Sequence, residues 1–368
     1  MTISPRRCVT GSIALLAATT LLASCSEDTG SSSATQIDGV SNTAGQVVAE
    51  GASSQQQAMD YFGVQYGHAV GGATLAYNSS GSGSGRQNFI GGQVDFAGSD
   101  SPLKDDQVDK AKQRCGSDAW HLPFVIGPVA VAVHLDGVEE INLSVPTVAK
   151  IFSGKITSWN DPAIAAENPG ASLPDKQISV VYRSDESGTS DNFQKFLKAA
   201  APDLWETTGQ QFPQKVGSGA NGSNGVATEV GNIDGAVTYV EAGFAKANPA
   251  ITVANIDFGH GPVALDAQSV GVALDNLSFK GTGNNMVVDS DALFSMDAQG
   301  AYPLVLTTYE IVCSDYTNAG ASEGTAARVK DFLTVALHSQ DDQLAELGYI
   351  PVTGSHLERL TQAVAAIK

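Results

Sequence analysis

From about position 45 onward, short β-type apolar runs in this 368-residue chain alternate with longer stretches of helical spacing. That alternation is the pattern of an α/β fold. The runs "QVVAE" (46–50), "ATLAYN" (73–78), "QVDFAGSD" (93–100), "PFVIGPVAVAVHL" (123–135), "ISVVYR" (178–183), "GAVTYV" (235–240) and "YPLVLTTYEIVCS" (302–314) predict strands. The third is short and ends in a polar turn, and the fourth is long and apolar enough to be buried. Helical stretches are predicted over 53–67, 147–154, 187–200, 324–338 and 355–368, with another after the glycine-rich turn at 79–92. In 187–200, Phe193, Phe196 and Leu197 fall on one helical face. No internal repeat is visible.

Three of these units share one design, a strand followed by a Ser/Gly turn and a helix, at 46–67, 73–91 and 178–200. A helix start leaves about four backbone N–H groups without intrahelical partners and carries a partial positive charge. Such turns are ready anion sites, although one alone is usually only a helix cap. Three of them, one carrying an arginine in "RSDESGTS" (183–190), point to an oxyanion. Arg183 offers a two-pronged charged contact, Ser187 and Thr189 offer hydroxyls, and the Gly188 N–H points out of the helix start. Asp185 is placed to orient the guanidinium. A surface Arg–Asp pair over a plain cap is the alternative reading of the same residues.

Asp100, in "VDFAGSDSPL", is the unexpected member, because a carboxylate repels an anion. It helps only where the anion brings a proton to donate, as phosphate does and sulfate does not. A buried acceptor facing a fully ionised oxygen leaves both unpaired. An exposed turn aspartate or a helix N-cap is the other reading.

The N-terminus changes the setting. "MTISPRR" precedes the apolar segment "CVTGSIALLAATTLLA", which ends in "LASC" (22–25). This pattern resembles the bacterial lipobox, in which the signal (1–24) is removed and the Cys25 sulfur carries diacylglycerol. A serine-, threonine- and glycine-rich stretch follows and reads as a flexible tether over 25–44. An ordinary signal peptide or an uncleaved anchor helix is the alternative. Loss of residues 1–24 leaves 18 basic against 39 acidic residues and shifts the net charge from −19 to −21. Two cysteines then remain beside Cys25, and in an exported protein Cys115 and Cys313 are expected to bridge. The acidic charge argues against nucleic acid, which needs rows of lysine and arginine. It does not exclude a small anion, which depends on local donors.

The chain resembles the phosphate-binding lipoproteins of bacterial ABC-type phosphate importers, the Pst system, over roughly 46 to 350. The resemblance rests on "YNSSGSGSGRQNFIGGQVDFAGSDSPL" (77–103), "IFSGKITSWNDPAI" (151–164), "ISVVYRSDESGTSDNF" (178–193), "GAVTYVEAGFAKAN" (235–248) and "YPLVLTTYEIV" (302–312), in this order. It implies a two-lobed periplasmic-binding-protein-like (type II) α/β fold with two crossovers and an interlobe cleft. Lobe I would comprise 45–127 and 303–368, and lobe II 128–302. It implies phosphate contacts from Ser53, Ser54, Ser82, Asp100, Arg183, Ser187, Gly188 and Thr189, with Asp185 pairing to the arginine. The first loop departs from the family pattern: it reads "EGASSQQQ" and lacks prolines, with Ser53 and Ser54 at the contact positions. The resemblance also implies a monomer without cofactor or enzymatic activity, docking on permease subunits driven by a cytoplasmic ATPase.

Three rival functions differ from this one in ligand, in class or in cellular role. The first is another tetrahedral oxyanion; Asp100 argues against sulfate and molybdate but not against arsenate, which also carries a proton. A phosphoesterase or serine hydrolase on the same lobes finds no support in motifs. The six histidines show no metal-ligand spacing, "GSGSG" (81–85) puts glycine where a nucleophile elbow needs serine, and no Walker A lysine follows a glycine loop. Sensing or adhesin roles would share the binding site and are not separable from uptake by sequence.

Overall fold

The strands, in chain order, are β1 (Gly45–Gly51), β2 (Ala73–Asn78), β3 (Phe96–Ser99), β4 (Ala119–His134), β5 (Asn142–Ser144), β6 (Ser179–Arg183), β7 (Ser218–Ala220), β8 (Ala236–Glu241), β9 (Thr252–Val253), β10 (Asn255–Asp257), β11 (Pro262–Val263) and β12 (Val305–Cys313). They come from a computed structural model that describes residues 37–213 and 215–368. The signal segment 1–24, the lipidation position Cys25 and most of the expected tether lie outside the described residues.

One sheet runs in the order β2-β1-β3-β12-β4-β8-β6-β7, with β9 also on β4, and a small sheet is ordered β11-β10-β5. At one end β1 pairs in parallel with β2 and β3; at the other, β6 pairs in parallel with β7 and β8. The two parallel groups are joined through antiparallel β12 and β4. β4 is the common member. Its residues 119–128 pair with β12, and from Val129 to His134 it pairs with β8. Nearly all of its positions are buried. This explains its unbroken apolar sequence, since a strand covered on both faces has no polar side to alternate with.

The β4–β12 ladder carries an irregularity between Thr308 and Tyr309, opposite Val125 and Pro123. Pro123 has no N–H to give the ladder, and a bulge is where a strand tolerates that loss. The register slip lies at Thr308, which turns out to matter for the site.

Helices Gln56–Ala69, Ser82–Ile90, Gly188–Ala200, Thr325–His338 and Gly354–Ala365 form where helical spacing is visible in the sequence. Several others, among them Asp105–Cys115 and Gly222–Asn232, have no counterpart in the sequence reading. A continuous apolar core runs from Val47 and Phe62 through Phe124 and Phe152 to Phe332. A smaller cluster packs Val226 and Val230 of helix Gly222–Asn232 against Ala130, Val181 and Val240.

The end of the stretch read as tether is held to the body. The Ser41 N–H and hydroxyl and the Thr43 N–H donate to buried Asp331 at 2.6, 2.8 and 3.2 Å. The acceptor lies 290 residues away in sequence, so local composition gives no sign of it. Any free tether therefore ends before Ser41.

Cys115, at the end of helix Asp105–Cys115, is bonded to Cys313, the last residue of β12. The bridge expected from cysteine usage is present, and it spans a sequence separation of 198. Closing a loop of that length removes entropy from the unfolded chain. Replacing both cysteines by alanine is expected to lower the unfolding free energy by about 2–5 kcal/mol in denaturant titration. A change below about 1 kcal/mol would mean that the bridge contributes little to stability.

Candidate functional site

The carboxyl ends of the parallel strands converge, and the sequence places short polar turns at each. β1 ends at Gly51, which has φ +147°, and a Cβ there would lie 1.9 Å from the Gly98 carbonyl oxygen. Only glycine lets β1 and β3 run this close. Beyond Gly51 the chain passes through the 3-10 turn Ser53–Gln55 into helix Gln56–Ala69, with Ser53 and Ser54 buried. Asp100 follows directly on β3, and helix Ser82–Ile90 starts beside it. On the opposite group, β6 ends at Arg183, and Ser187 caps helix Gly188–Ala200 by accepting from the Ser190 N–H at 3.1 Å. A Cβ on Gly188 would lie 2.5 Å from Ser82 Oγ and 2.6 Å from Asp100 Cβ. The glycine is required because the second helix start abuts the first site turn.

Asp100 organises one half of the cluster. It is 4% exposed, and its Oδ1 accepts from Ser54 Oγ at 2.6 Å and from Thr308 Oγ1 at 2.7 Å. Its Oδ2 accepts from Ser82 Oγ at 3.2 Å. The Asp100 carbonyl accepts from Asn192 Nδ2 at 2.7 Å, tying β3 to helix Gly188–Ala200. Burial, and after it the charge of Glu241, pushes the Asp100 carboxyl up to about 6. The Ser54 and Thr308 hydroxyls and the Arg183 charge work in the opposite direction without cancelling the rise.

Arg183 organises the other half. Its Nε and Nη2 donate to Asp185 at 2.7 and 2.5 Å, and its Nη1 donates to Thr189 Oγ1 and Ser223 Oγ, both at 3.3 Å. Burial alone would lower the guanidinium, but Asp185 and Glu241 hold it above its ordinary value. Burial would likewise raise Asp185, yet the arginine and the Gly222 N–H keep it below the usual carboxylate range. Thr189 Oγ1 donates at 2.6 Å to Oε1 of Glu241, the last residue of β8. The other Glu241 oxygen is buried without a partner among the described residues.

The two halves are tied together around this cluster. Ser101 Oγ donates to Asp191 at 2.6 Å, and buried Arg86 donates to Gln210 Oε1 at 2.5 Å. The Gly83 N–H reaches the Glu186 carbonyl at 3.0 Å.

All eight residues singled out as ligand contacts, and Asp185 with them, thus stand in one buried cluster. Thr308, Ser223 and Glu241 also belong to it and were not read from the sequence. Glu241 had a usable signal: it ends a strand beside β6, and in open α/β sheets ligands lie at the carboxyl ends of strands. Ser223 opens helix Gly222–Asn232 in a fourth strand–turn–helix unit, hidden because β7 is only three residues long. Thr308 had no signal, since its position depends on the irregularity opposite Pro123.

Chemically the cluster is a set of hydroxyl and N–H donors around one guanidinium and three carboxylates, of which Asp185 is taken up by Arg183, Glu241 accepts from Thr189 and Asp100 accepts only from hydroxyls. The Ser53, Ser54, Ser82 and Ser187 hydroxyls meet Ser223, Asp100 or a backbone N–H, not an imidazole, so no base of the kind that activates a serine nucleophile stands beside them. No group of three or more His, Cys, Asp or Glu among the described residues is placed to hold a metal.

Comparison with known proteins gives a consistent picture. The family described as "PBP superfamily domain" matches residues 37–340. The chain is 45% identical over 322 residues to phosphate-binding protein PstS3 of Mycobacterium bovis, covering 87% of this chain and 86% of that one. It is 42% identical over 369 residues to PstS2 of the same species, covering 96% and 97%. Among solved structures, a phosphate-binding protein of Stenotrophomonas maltophilia matches with TM-score 0.65 at 23% identity, covering 87% and 94%. The high-affinity periplasmic phosphate-binding protein PfluDING, bound with phosphate, matches with TM-score 0.70 at 22% identity, covering 86% and 93%. At such identity the two structures speak to the fold. That fold is the expected two-lobed α/β class.

The position of Asp100 fixes a pH dependence. Its folded value of about 6 lies above its ordinary 3.8, so between these the folded protein binds more protons than the unfolded chain. Stability therefore falls as pH rises through that window. In ligand-free protein, Asp100→Asn removes this contribution; Glu310, pushed up by burial and to a lesser extent by the Asp100 charge, keeps the burial part of its rise in both proteins. Relative to wild type, the variant's unfolding free energy should gain on the order of 2 kcal/mol between about pH 4 and about pH 6.5 in urea titrations. A difference that does not change with pH would show Asp100 to titrate normally.

Proposed function

The chain belongs to the PBP superfamily and, within it, to the PstS phosphate-binding proteins, and from that premise we propose that its buried cluster binds inorganic phosphate for import. The family is one of substrate-binding transport proteins, not of enzymes. Phosphate would be held by Ser53, Ser54, Ser82, Asp100, Arg183, Ser187, Gly188 and Thr189, with Asp185 fixing the arginine. Residues 45–127 and 303–368 would act as one lobe and 128–302 as the other. This division agrees with β4 leaving β12 for β8 at Val129 and with β12 beginning at Val305. Ligand contacts from both lobes would favour the closed state over the open one.

The observation that carries this reading is the buried Asp100 carboxylate among the donors. A site built only to attract negative charge has no use for an acceptor. An acceptor is useful where the ligand brings its own proton, and among common oxyanions phosphate does so while sulfate does not.

The chain would work at the outer face of a bacterial cell membrane, tethered by lipid on Cys25, and hand phosphate as a monomer to permease subunits driven by a cytoplasmic ATPase. No helix among the described residues is long and apolar enough to cross a membrane. Tethering therefore rests on the sequence of residues 22–25.

Calorimetric titration of the protein, stripped of bound ligand, tests the proposal. One phosphate per chain with no sulfate response is expected. Asp100→Asn should weaken phosphate and narrow its margin over sulfate by tenfold or more (about 1.4 kcal/mol), because an amide can donate to an unprotonated oxygen. Arg183→Ala should lose about 100-fold, more than any single hydroxyl, having removed the charge-assisted donor. Absence of phosphate binding, or sulfate affinity equal in wild type and Asp100→Asn, would sink the reading.

A further inference from the structure

The direction of each hydrogen bond around Arg183 can be worked out from the number of protons each group owns. A guanidinium has five N–H bonds. Two go to Asp185, and the Nη1 pair is directed at Thr189 and Ser223. Thr189 accepts one of these and gives its own proton to Glu241, so its hydroxyl has none left for an anion. Only its backbone N–H, in the first turn of helix Gly188–Ala200, remains for that purpose.

Ser223 differs. Its Oγ accepts from Arg183 and lies 3.1 Å from Ser53 Oγ, while its backbone N–H donates to the same Ser53 Oγ at 3.0 Å. Both side chains are buried, Ser223 completely. If Ser53 donated to Ser223, Ser223 Oγ would accept twice and its own proton would be buried without a partner, an arrangement native structures avoid. If Ser223 donates to Ser53, Ser53 Oγ accepts twice, from the Ser223 hydroxyl and from the Ser223 N–H. No other acceptor among the described residues takes its single proton, which is left for a bound anion.

We propose that Ser223 is a positioning residue of the oxyanion site, relaying the Arg183 charge to Ser53 and fixing the Ser53 hydroxyl as a donor to the bound anion. This inference rests on the phosphate reading above. It gives the altered first loop a mechanism, since Ser53 gains its donor role from the start of helix Gly222–Asn232 and not from its own loop. The chain Arg183, Ser223, Ser53 also crosses between the two halves of the sheet, so the relay is complete only when the halves are together.

A double-mutant cycle in phosphate affinity tests the relay. Ser53→Ala should weaken phosphate about tenfold to thirtyfold and Ser223→Ala about tenfold, while the double variant should be no weaker than Ser53→Ala alone. Ser223→Thr, which restores the hydroxyl, should stay within about threefold of wild type. Ser223→Cys keeps the shape with a weaker donor, and it replaces the alanine in the same cycle if that variant does not fold. Losses that simply add in the double variant would overturn the relay, as would a Ser223→Ala affinity equal to wild type. If wild type takes arsenate or sulfate instead of phosphate, the phosphate reading fails and the cycle is run with the anion that binds. A wild type that takes no tetrahedral oxyanion overturns both.

Discussion

Burying the Asp100 carboxylate beside Glu241 raises the free energy of its charged form, and the surroundings offset that with hydroxyl donors instead of a cation. Ser54, Ser82 and Thr308 all point at it, while Arg183 is held by Asp185 and contributes from a distance. Hydroxyl donors satisfy a carboxylate without neutralising it. The carboxylate therefore stays able to accept a further proton-bearing partner, and the rest of the cluster is arranged so that such a partner has donors on its other sides.

Placing those donors depends on the sheet. Asp100, Ser53 and Ser82 follow the ends of β3, β1 and β2, and Arg183, Ser223 and Glu241 lie at the ends of β6, β7 and β8. Each group is internally parallel, which puts its carboxyl ends on one side. Within the sheet the groups are joined through β12 and β4, and the long buried β4 changes partner midway. A sheet with a single antiparallel seam brings two sets of helix starts to face each other. Thr308, on the seam itself, then supplies a donor that belongs to neither set. Coupling between seam and site is direct: the irregularity opposite Pro123 lies where β12 presents Thr308 to Asp100.

Much of this was legible in the sequence because its cause is local. Strand period, helix period and the Ser/Gly turns between them are properties of ten or fifteen neighbouring residues, and "RSDESGTS" contains a strand end, a paired arginine and a helix cap in one run. β2 begins and ends where its apolar run does. What escaped notice has non-local causes. Helix Gly222–Asn232 begins after a strand of only three residues, too short to register as an apolar run, so Ser223 carries no mark of a helix start. Ser41 and Thr43 looked like tether because their acceptor, Asp331, lies on another helix far along the chain. Thr308 reads as an ordinary strand residue until the partner strand is known.

The acidity of the protein fits this site better than it first seems to. At physiological ionic strength charges more than about 8 Å apart at the surface are largely screened, so a formal charge of −19 constrains capture less than the nearest donors do. Inside the cluster, Asp185 and Glu241 offset Arg183, with Asp100 adding a further acid. A strongly cationic pocket would attract sulfate and phosphate alike, because Coulomb attraction does not count protons. Cancelling the arginine's charge while keeping its hydrogen-bond directions removes that common attraction. What remains is a pattern of donors with the Asp100 acceptor among them, and a pattern can distinguish an oxyanion that carries a proton from one that does not.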